Sequence, residues 1–564
     1  MAEEERAKEE AQKAERERAE ELAKATLEKV AAARKEQQKV PKTKMYIIVG
    51  AVALLVVAAV VTFLITRGSL KRPGLVAVLP FTTSQASDGY LGDALSAFIA
   101  DDLAGAQTFT VLDPVSSHSF GPNASNLQAQ ASPLGITHYV RGVLSMNGTS
   151  ISVRAQLFGI GEDKAIWETT VDGSMLDLAD LAAQTSRVLL KFMDIEAATP
   201  APSRPARNAD AYTLYLRGLA SSLQPTVTAH QQTIALLQEA LRQDSTLVPA
   251  KLVLARVLLE EYQQQGKRDQ TTLATAFALA QEASKSEPNN ANLHAVLGKA
   301  YRYMQQFQRA GRQIAAGLAL QPENSFCNRE LALLTLIQGN NDEAMKYAEE
   351  ALKTDPRHYR SYEVKGIVQL FKEQFEDASR LFDQASSMGG PDSLLTVTYK
   401  FRLWTTLDQE EKVVSYCQQM MGKADDRTKA LLYYWIGRAY SLKGKLNESH
   451  ANLDQGLALA EQVVSRDPRD YASLATYALL EARRARTPRR AVQLAERAVG
   501  FDSTWAMMHY WKARVHAIQK NTPDALRELT KATTLQYSFP EILDPDFLSV
   551  WQDPGFKTAI TRTK

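Results

Sequence analysis

From Met45 to Thr66 the chain runs MYIIVGAVALLVVAAVVTFLIT, with no charge and no proline. As a helix rising about 1.5 Å per residue this run would be about 33 Å long, against the ~30 Å hydrocarbon layer of a bilayer, so the pattern predicts a single transmembrane helix over 45–66. The stretch before it reads the opposite way. Within the arm at 1–44, residues 1–38 are mostly strong helix formers whose apolar positions are mainly alanine, with Leu22, Leu27 and Val30 as exceptions. Glu stands four residues before Lys at Glu4/Lys8, Glu9/Lys13 and Glu20/Lys24. A charged, solvated helical arm is expected there. Lys29, Arg34, Lys35, Lys39, Lys42 and Lys44 precede the apolar run, and only Arg67, Lys71 and Arg72 follow it closely. That asymmetry predicts a cytoplasmic arm and a body on the far side of the membrane.

After Pro73 the period shortens. GLVAVLPF at 74–81 is a continuous apolar strand run, and LGDALSAFIADDLAG then places Leu91, Leu95, Phe98, Ile99 and Leu103 on one helical face. FTVLD at 109–113 reads as a strand and NLQAQASPLG as a short helix ended near Pro133 and Gly135. A hairpin turning at Asn147-Gly148 follows, with Ile151, Val153, Ala155 and Leu157 alternating with polar residues. Another strand at AIWETTVDG and a helix at DLADLAAQTSRVLLKFM complete a β-α-β-α-β-β-β-α order, which implies one mixed sheet covered by helices. This α/β domain is placed at 74–195. The proline-rich TPAPSRPA stretch makes 196–209 a semi-rigid linker.

Beyond the linker the pattern is helical, with a 34-residue period. Ala310, Ala344 and Ala378 are 34 apart, as are Ala491 and Ala525, and Leu297, Gly298, Tyr301, Gly366 and Phe382 fall at matching offsets with Pro322 and Pro356 closing two units. Ile436, Gly437 and Tyr440, with Pro468, mark a further unit. The period gives eight or nine units over 210–537, degenerate at 392–427, and a terminal cap over 538–564 with the sequence EILDPDFLSVWQDPGFKTAI.

These repeat positions resemble the tetratricopeptide repeat, in which small residues let two helices approach closely and bulky ones fill the space between hairpins. The LVAVLPF, YLGDALSAFIADDL, HYVRGVL and VRAQL segments and the Trp167 strand together resemble the amino-terminal domain of TolB, which bacteria join to such repeats. The chain lacks the β-propeller that follows in TolB. Its FGIGEDK loop also departs from the family pattern. The resemblance implies a bacterial inner-membrane protein: one transmembrane helix, a small periplasmic α/β domain and an all-α superhelical solenoid, serving as an envelope scaffold or, alternatively, relaying a signal through the arm. The repeat register implies a partner-binding groove made of Lys299, Arg302, Tyr303, Arg329, Leu333, Leu336, Arg360, Ile367, Leu370 and Phe371. Such a mixture of basic and apolar groups would suit a peptide or an amphipathic segment. Lys299 and Glu330 stand where a carboxylate clamp would need asparagines, so capture of a free carboxyl terminus is not expected.

Composition adds little. A formal net charge of +2 over 564 residues gives no bulk reason to expect nucleic acid, and two cysteines, Cys327 and Cys417, are too few for a disulfide framework. Asp93, Asp101, Asp102, Asp113 and His118 are polar candidates in the α/β domain, but the first three sit opposite an apolar helix face and are expected to be solvated. His509 and His516 lie seven apart, too far in rise to share a metal. The GIGEDK loop lacks the glycine spacing and Lys-Ser/Thr ending of a phosphate loop. No catalytic residue, cofactor or metal is expected, and the partners expected are proteins, together with a bilayer at 45–66.

Overall fold

The structure, a computed structural model, describes residues 74–106, 108–148, 150–195, 208–224, 226–264, 270–388, 394–422, 424–485, 487–501, 503–535 and 544–560. The arm, the apolar run at 45–66 and the proline-rich stretch at 196–207 lie outside them. Among the described residues no helix is long and apolar enough to cross a membrane. The longest, Leu446–Arg466, buries Leu453, Gly456, Ala460 and Val464 on one stripe and carries Glu448, Asp454 and Glu461 elsewhere, which suits a protein core and not lipid. The expected fold class is therefore corrected to an α/β domain joined to helical repeats. The single transmembrane helix and the single-pass inner-membrane placement are not retained, nor is the bilayer as a partner.

The α/β domain begins with β1 (Leu75–Val78) and the short β2 (Thr82–Thr83), followed by α1 (Gly89–Gly105), β3 (Thr110–Val111), α2 (Pro114–His118) and α3 (Ala124–Leu134). The strands β4 (Ile136–Asn147), β5 (Ser150–Gly159) and β6 (Trp167–Ser174) lead to α4 (Leu178–Phe192). The sheet order is β3-β1-β4-β5-β6, with β2 beside β4. Pairs β1/β3 and β1/β4 are parallel, and β4/β5 and β5/β6 antiparallel. Strand β1 is apolar throughout because both its faces are covered: Val76 and Val78 join the cluster under α1 and α4, whereas Leu75 and Ala77 join Phe120, Leu127 and Phe158 on the side of α3.

Nine helix hairpins of tetratricopeptide type follow among the described residues. They pair α5 (Ala209–Ser222) with α6 (Val227–Gln243), α7 (Val248–Gln264) with α8 (Gln270–Ser286), and α9 (Ala291–Tyr303) with α10 (Phe307–Leu320). Next come α11 (Ser325–Ile337) with α12 (Asn341–Thr354), α13 (Tyr359–Phe371) with α14 (Phe375–Ser387), and α15 (Leu394–Thr406) with α16 (Glu410–Met421). The last are α17 (Asp426–Leu442) with α18 (Leu446–Arg466), α19 (Tyr471–Arg484) with α20 (Pro488–Phe501), and α21 (Ala506–Ile518) with α22 (Thr522–Thr534). A 3-10 turn at Pro545–Phe547 and α23 (Pro554–Ile560) end the described chain.

The period is imposed locally. Gly298 and Gly366 face the second helix of their own hairpins, where an added Cβ would lie 2.5 Å from Ile314 Cγ1 and 2.8 Å from Phe382 Cε1. The first helices of the middle hairpins end in a left-handed residue at Gln305, Gly339 and Glu373, with φ of 60°, 78° and 57°, spaced by the 34-residue repeat. Proline then stops the second helix, and Asn290, Asn324 and His358 cap the helices that follow. One hydrophobic cluster runs without a break from Val76 and Leu95 through Tyr215 and Val257 to Leu334, so the sheet domain and the first hairpins share a core.

Candidate partner-binding groove

The first helices of successive hairpins lie side by side, α7 against α9, α9 against α11 and α11 against α13, forming a continuous face. Four groove residues expected from sequence, Lys299, Arg302, Tyr303 and Arg360, meet there. Arg302 donates to Glu330 Oε2 from Nε at 3.0 Å and from Nη2 at 2.7 Å, with both side chains buried. Lys299 lies between Glu260 and Glu330; burial, only partly offset by these two carboxylates, lowers its pKa to about 8. Burial alone would raise the Glu330 carboxyl, but Arg302 and Lys299 outweigh it and hold it below the usual range. Arg302 also covers the Tyr303 ring at 4.6 Å, and burial pushes the Tyr303 hydroxyl up to about 12. Arg360 carries the charge on to α13 beside Tyr359 and Glu363. The result is a belt of alternating sign that is almost closed to solvent: Lys299 is 4% exposed and Glu330 1%.

The apolar candidates do not join this belt. Leu336, Ile367 and Leu370 are buried in the cluster built on Ala344, Val364 and Phe382, with Leu333 and Phe371 packed against it. They fill the space between hairpins and leave little for a ligand to touch.

Arg329, the remaining candidate, faces a different neighbour. The α/β domain docks beside the first-helix face through α1, β3, α2 and α3, its hydrogen bonds falling on the end of α12 and the turns that precede α11 and α13. Asp113 N donates to Thr354 O at 2.9 Å, Thr110 Oγ1 to Glu323 Oε2 at 3.0 Å, and Arg357 Nη1 to Gln130 Oε1 at 3.1 Å. Ser116 Oγ donates to Asp355 Oδ1 in a short bond, and Arg329 Nη1 lies 3.5 Å from Asp355 Oδ2. Burial, with Asp113 adding to it, raises the Asp355 pKa to about 7 in spite of Arg329 and Ser116. Beside this seam is a cleft of about 180 Å³, lined by Asp101, Asp113, Arg256 and Arg329 with apolar walls that include Phe109 and Phe326. Asp101 opens into the cleft but is ringed by protein, and this confinement, with Asp113 nearby, raises its pKa to about 7. The residue is exposed, as the sequence suggested. Asp93 pairs with His118 at 3.4 Å within the same domain.

The most heavily charged site is one the sequence reading missed. In the later hairpins, Arg402 of α15, Arg438 of α17, Arg483 of α19 and Arg514 of α21 point into one space, and the turn after the repeats inserts Asp544 and Asp546 among them. Tyr510 Oη donates to Asp544 Oδ2 at 2.8 Å, Tyr434 Oη to Asp546 Oδ2 at 2.6 Å and Arg514 Nε to the same oxygen at 2.8 Å. Arg483 Nη2 donates to Asp546 Oδ1 in a short bond, and Arg402 Nη2 reaches Asp544 Oδ2 at 3.4 Å. Both carboxyls have lowered pKa values, because Arg514 and its neighbours overcome the burial that would raise them. The sequence signal for it is an arginine in each of four successive first helices, spaced 36, 45 and 31 residues apart and so out of step with the 34-residue period.

Other candidates are structural. His509 sits between Glu528 Oε2 at 2.6 Å and the Ser503 carbonyl at 3.0 Å, whereas His516 is buried with Asp524 as its nearest carboxylate, at 4.0 Å. Cys327 and Cys417 are buried free thiols.

No protein-family model and no curated protein matches the chain. Solved structures with related helical repeats include the human IFIT1 dimer with m7Gppp-AAAA, 13% identical over 63% of this chain and 77% of that one, with a TM-score of 0.41. Pseudomonas aeruginosa PilF is 18% identical over 37% of this chain and 90% of its own, with a TM-score of 0.29. The Thermus thermophilus tetratricopeptide protein TTC0263 is 15% identical over 34% and 97%, with a TM-score of 0.28.

Proposed function

We propose that the chain is a protein-interaction scaffold that binds a peptide or a folded domain on the face made by its first helices. It acts by binding and not by catalysis, and the α/β domain, read as a TolB-like module, serves as a second contact unit. The supporting observation is that this face already receives protein from the same chain at both ends: the α/β domain beside it near α7 to α12, and the Asp544–Phe547 turn near α15 to α21. A face that docks two unlike pieces of polypeptide by ion pairs, hydroxyls and apolar contact has the chemistry that protein partners use.

In-cell photo-crosslinking tests this. A photoreactive residue at Tyr303, on the first-helix face, is compared with one at Lys353, exposed on a second helix. A discrete adduct from Tyr303 and none from Lys353 supports the scaffold reading. No Tyr303 adduct, or equal labelling from both positions, refutes it.

A further inference from the structure

Among the described residues, four guanidiniums meet two carboxylates in the space between α15, α17, α19 and α21. Arg402 and Arg438 are each 1% exposed and Arg514 3%, so the charge imbalance is not relieved by bulk water. Arg438 shows the mismatch most clearly. It stands 3.6 Å from Asp544 Oδ1 and 3.7 Å from Asp546 Oδ1, and none of its three nitrogens has a hydrogen-bond partner among the described residues. Buried polar groups are normally satisfied, and leaving a buried guanidinium without a hydrogen bond is costly. The occupying turn therefore fits the cage without filling it. Beyond the two aspartates, Phe547 packs on Tyr510 with ring centroids 5.7 Å apart and on Phe556 at 6.1 Å, Val550 is buried and Ser549 Oγ donates to Ala517 O at 2.7 Å, whereas Leu548 is 52% exposed.

We infer that this cage is a recognition site for an acidic partner peptide carrying two or more carboxylates followed by an aromatic residue, and that the chain's own Asp544–Phe547 turn is a built-in competitor for it. Arginine suits the task because its planar fork pairs with carboxylates in fixed geometry. Tyr434 and Tyr510 add hydroxyl donors, and the pocket holding Phe547 supplies the apolar anchor. A partner with one more acidic group would satisfy Arg438 and reduce the excess positive charge. The inference rests on the scaffold reading and specifies the chemistry of one of its partners.

The test uses the full chain and a labelled peptide of residues 541–553, EILDPDFLSVWQD. A tethered competitor acts at an effective concentration on the order of millimolar. Weakening it with Asp544→Asn and Asp546→Asn together is therefore expected to tighten peptide binding by at least about tenfold relative to wild type. Added salt should weaken the binding, and the same peptide with both aspartates changed to asparagine should not bind. Equal affinity for the two chains, or no binding to a variant that keeps its helix content, overturns the proposal. Should the variant fail to fold, the wild-type chain gives a second reading by hydrogen exchange. Residues 544–550 should exchange faster than α17 and faster still with millimolar peptide. A turn that opens only together with α17, indifferent to peptide, also overturns it. Failure here with the Tyr303 adducts intact leaves the scaffold reading standing, and loss of those adducts with peptide binding intact does the reverse.

Discussion

Changing Glu330 to Gln keeps the shape of the side chain and removes its charge from the middle of the belt. In the native chain Arg302 donates two hydrogen bonds to one Glu330 oxygen, at 3.0 and 2.7 Å, and the two side chains are 8% and 2% exposed. Removing one partner of a buried pair typically costs about 3–5 kcal/mol, because the other charge is left in a medium that solvates it poorly. Glutamine still accepts a hydrogen bond, which places the expected loss at the low end, about 3 kcal/mol. Hairpins contact only their neighbours, so this loss should appear locally in α9, α11 and α13. At 1.4 kcal/mol per decade it corresponds to amide exchange on the order of 100-fold faster in those helices, read by mass spectrometry. Glu168→Gln is the control. Arg154 also makes two bonds to Glu168, both 2.9 Å, but the side chains are 58% and 41% exposed. Exchange in β5 and β6 should change by less than about fivefold, and less still in high salt. If the two substitutions act within a factor of about five of each other, burial is not what gives the belt its strength and the reasoning fails.

The seam between α2 and the Asp355 loop should respond to pH. The Asp355 pKa is raised to about 7 in the folded chain, against about 4 when unfolded, so the folded state holds an extra proton between those values. Its stabilising contribution is therefore full below about pH 4, is lost as pH rises to about 7, and is flat above. Exchange of residues 110–118, corrected for intrinsic rate, should be slower at pH 5 than at pH 8, and Asp355→Asn should reduce the difference, Asp101 in the adjoining cleft keeping the remainder. The groups facing Asp355 are Asp113, Arg329, Ser116 and Tyr362. Half-buried His358, whose pKa is pushed down by desolvation and Arg329, acts with the opposite sign and remains in both chains. Gly366→Ala should lower thermal stability by about 1–3 kcal/mol through the Phe382 clash, whereas Gly500→Ala, with nothing within 4 Å of the added carbon, should raise it by up to about 1 kcal/mol. Glu373→Gly relieves a left-handed residue at φ 57° and is expected to leave stability unchanged or raise it by about 1 kcal/mol; a clear loss in thermal melts would refute the local-strain account.

The hairpins were legible because the physics that builds them is local. Gly298, Gly366 and Ala310 must be small where helices touch, and the sequence repeats that need every 34 residues. The turns were less legible: Gln305 and Glu373 occupy left-handed positions that Gly339 fills in between, so only one of the three carries a recognisable residue. The basic half of the groove was found because Lys299, Arg302 and Arg360 stand at groove offsets of the repeat, nine and twelve residues after Asn290 and two after His358. Their acidic partners were missed because they lie a repeat less one or two helical turns away, 31 residues from Lys299 to Glu330 and 28 from Arg302 to Glu330. Leu336, Ile367 and Leu370 were misplaced for a related reason. A first helix turns one stripe to the groove and another to the next hairpin, and leucine on either stripe reads the same. The docking of the α/β domain on the repeats joins residues more than 200 apart, such as Thr110 and Glu323, and no periodicity reports it.

The two halves of the first-helix face differ in how their charges are balanced. Near α7 to α13 each cation meets an acid carried by the repeats: Lys299 has Glu260 and Glu330, Arg302 has Glu330, and Arg360 has Glu363 of its own helix. That belt is complete within the repeats and adds rigidity, so a partner arriving there would have to displace native ion pairs. Near α15 to α21 the hairpins supply Arg402, Arg438, Arg483 and Arg514, and the acids facing them, Asp544 and Asp546, come from beyond the repeats. Four guanidiniums gathered in a poorly solvated space would repel one another, so this half of the face needs an acidic segment to close. The need is written into the repeats themselves. Which acidic segment meets it is then a competition set by charge number and tethering, and in that competition the chain's own turn has the advantage of proximity and the disadvantage of leaving Arg438 without a hydrogen bond.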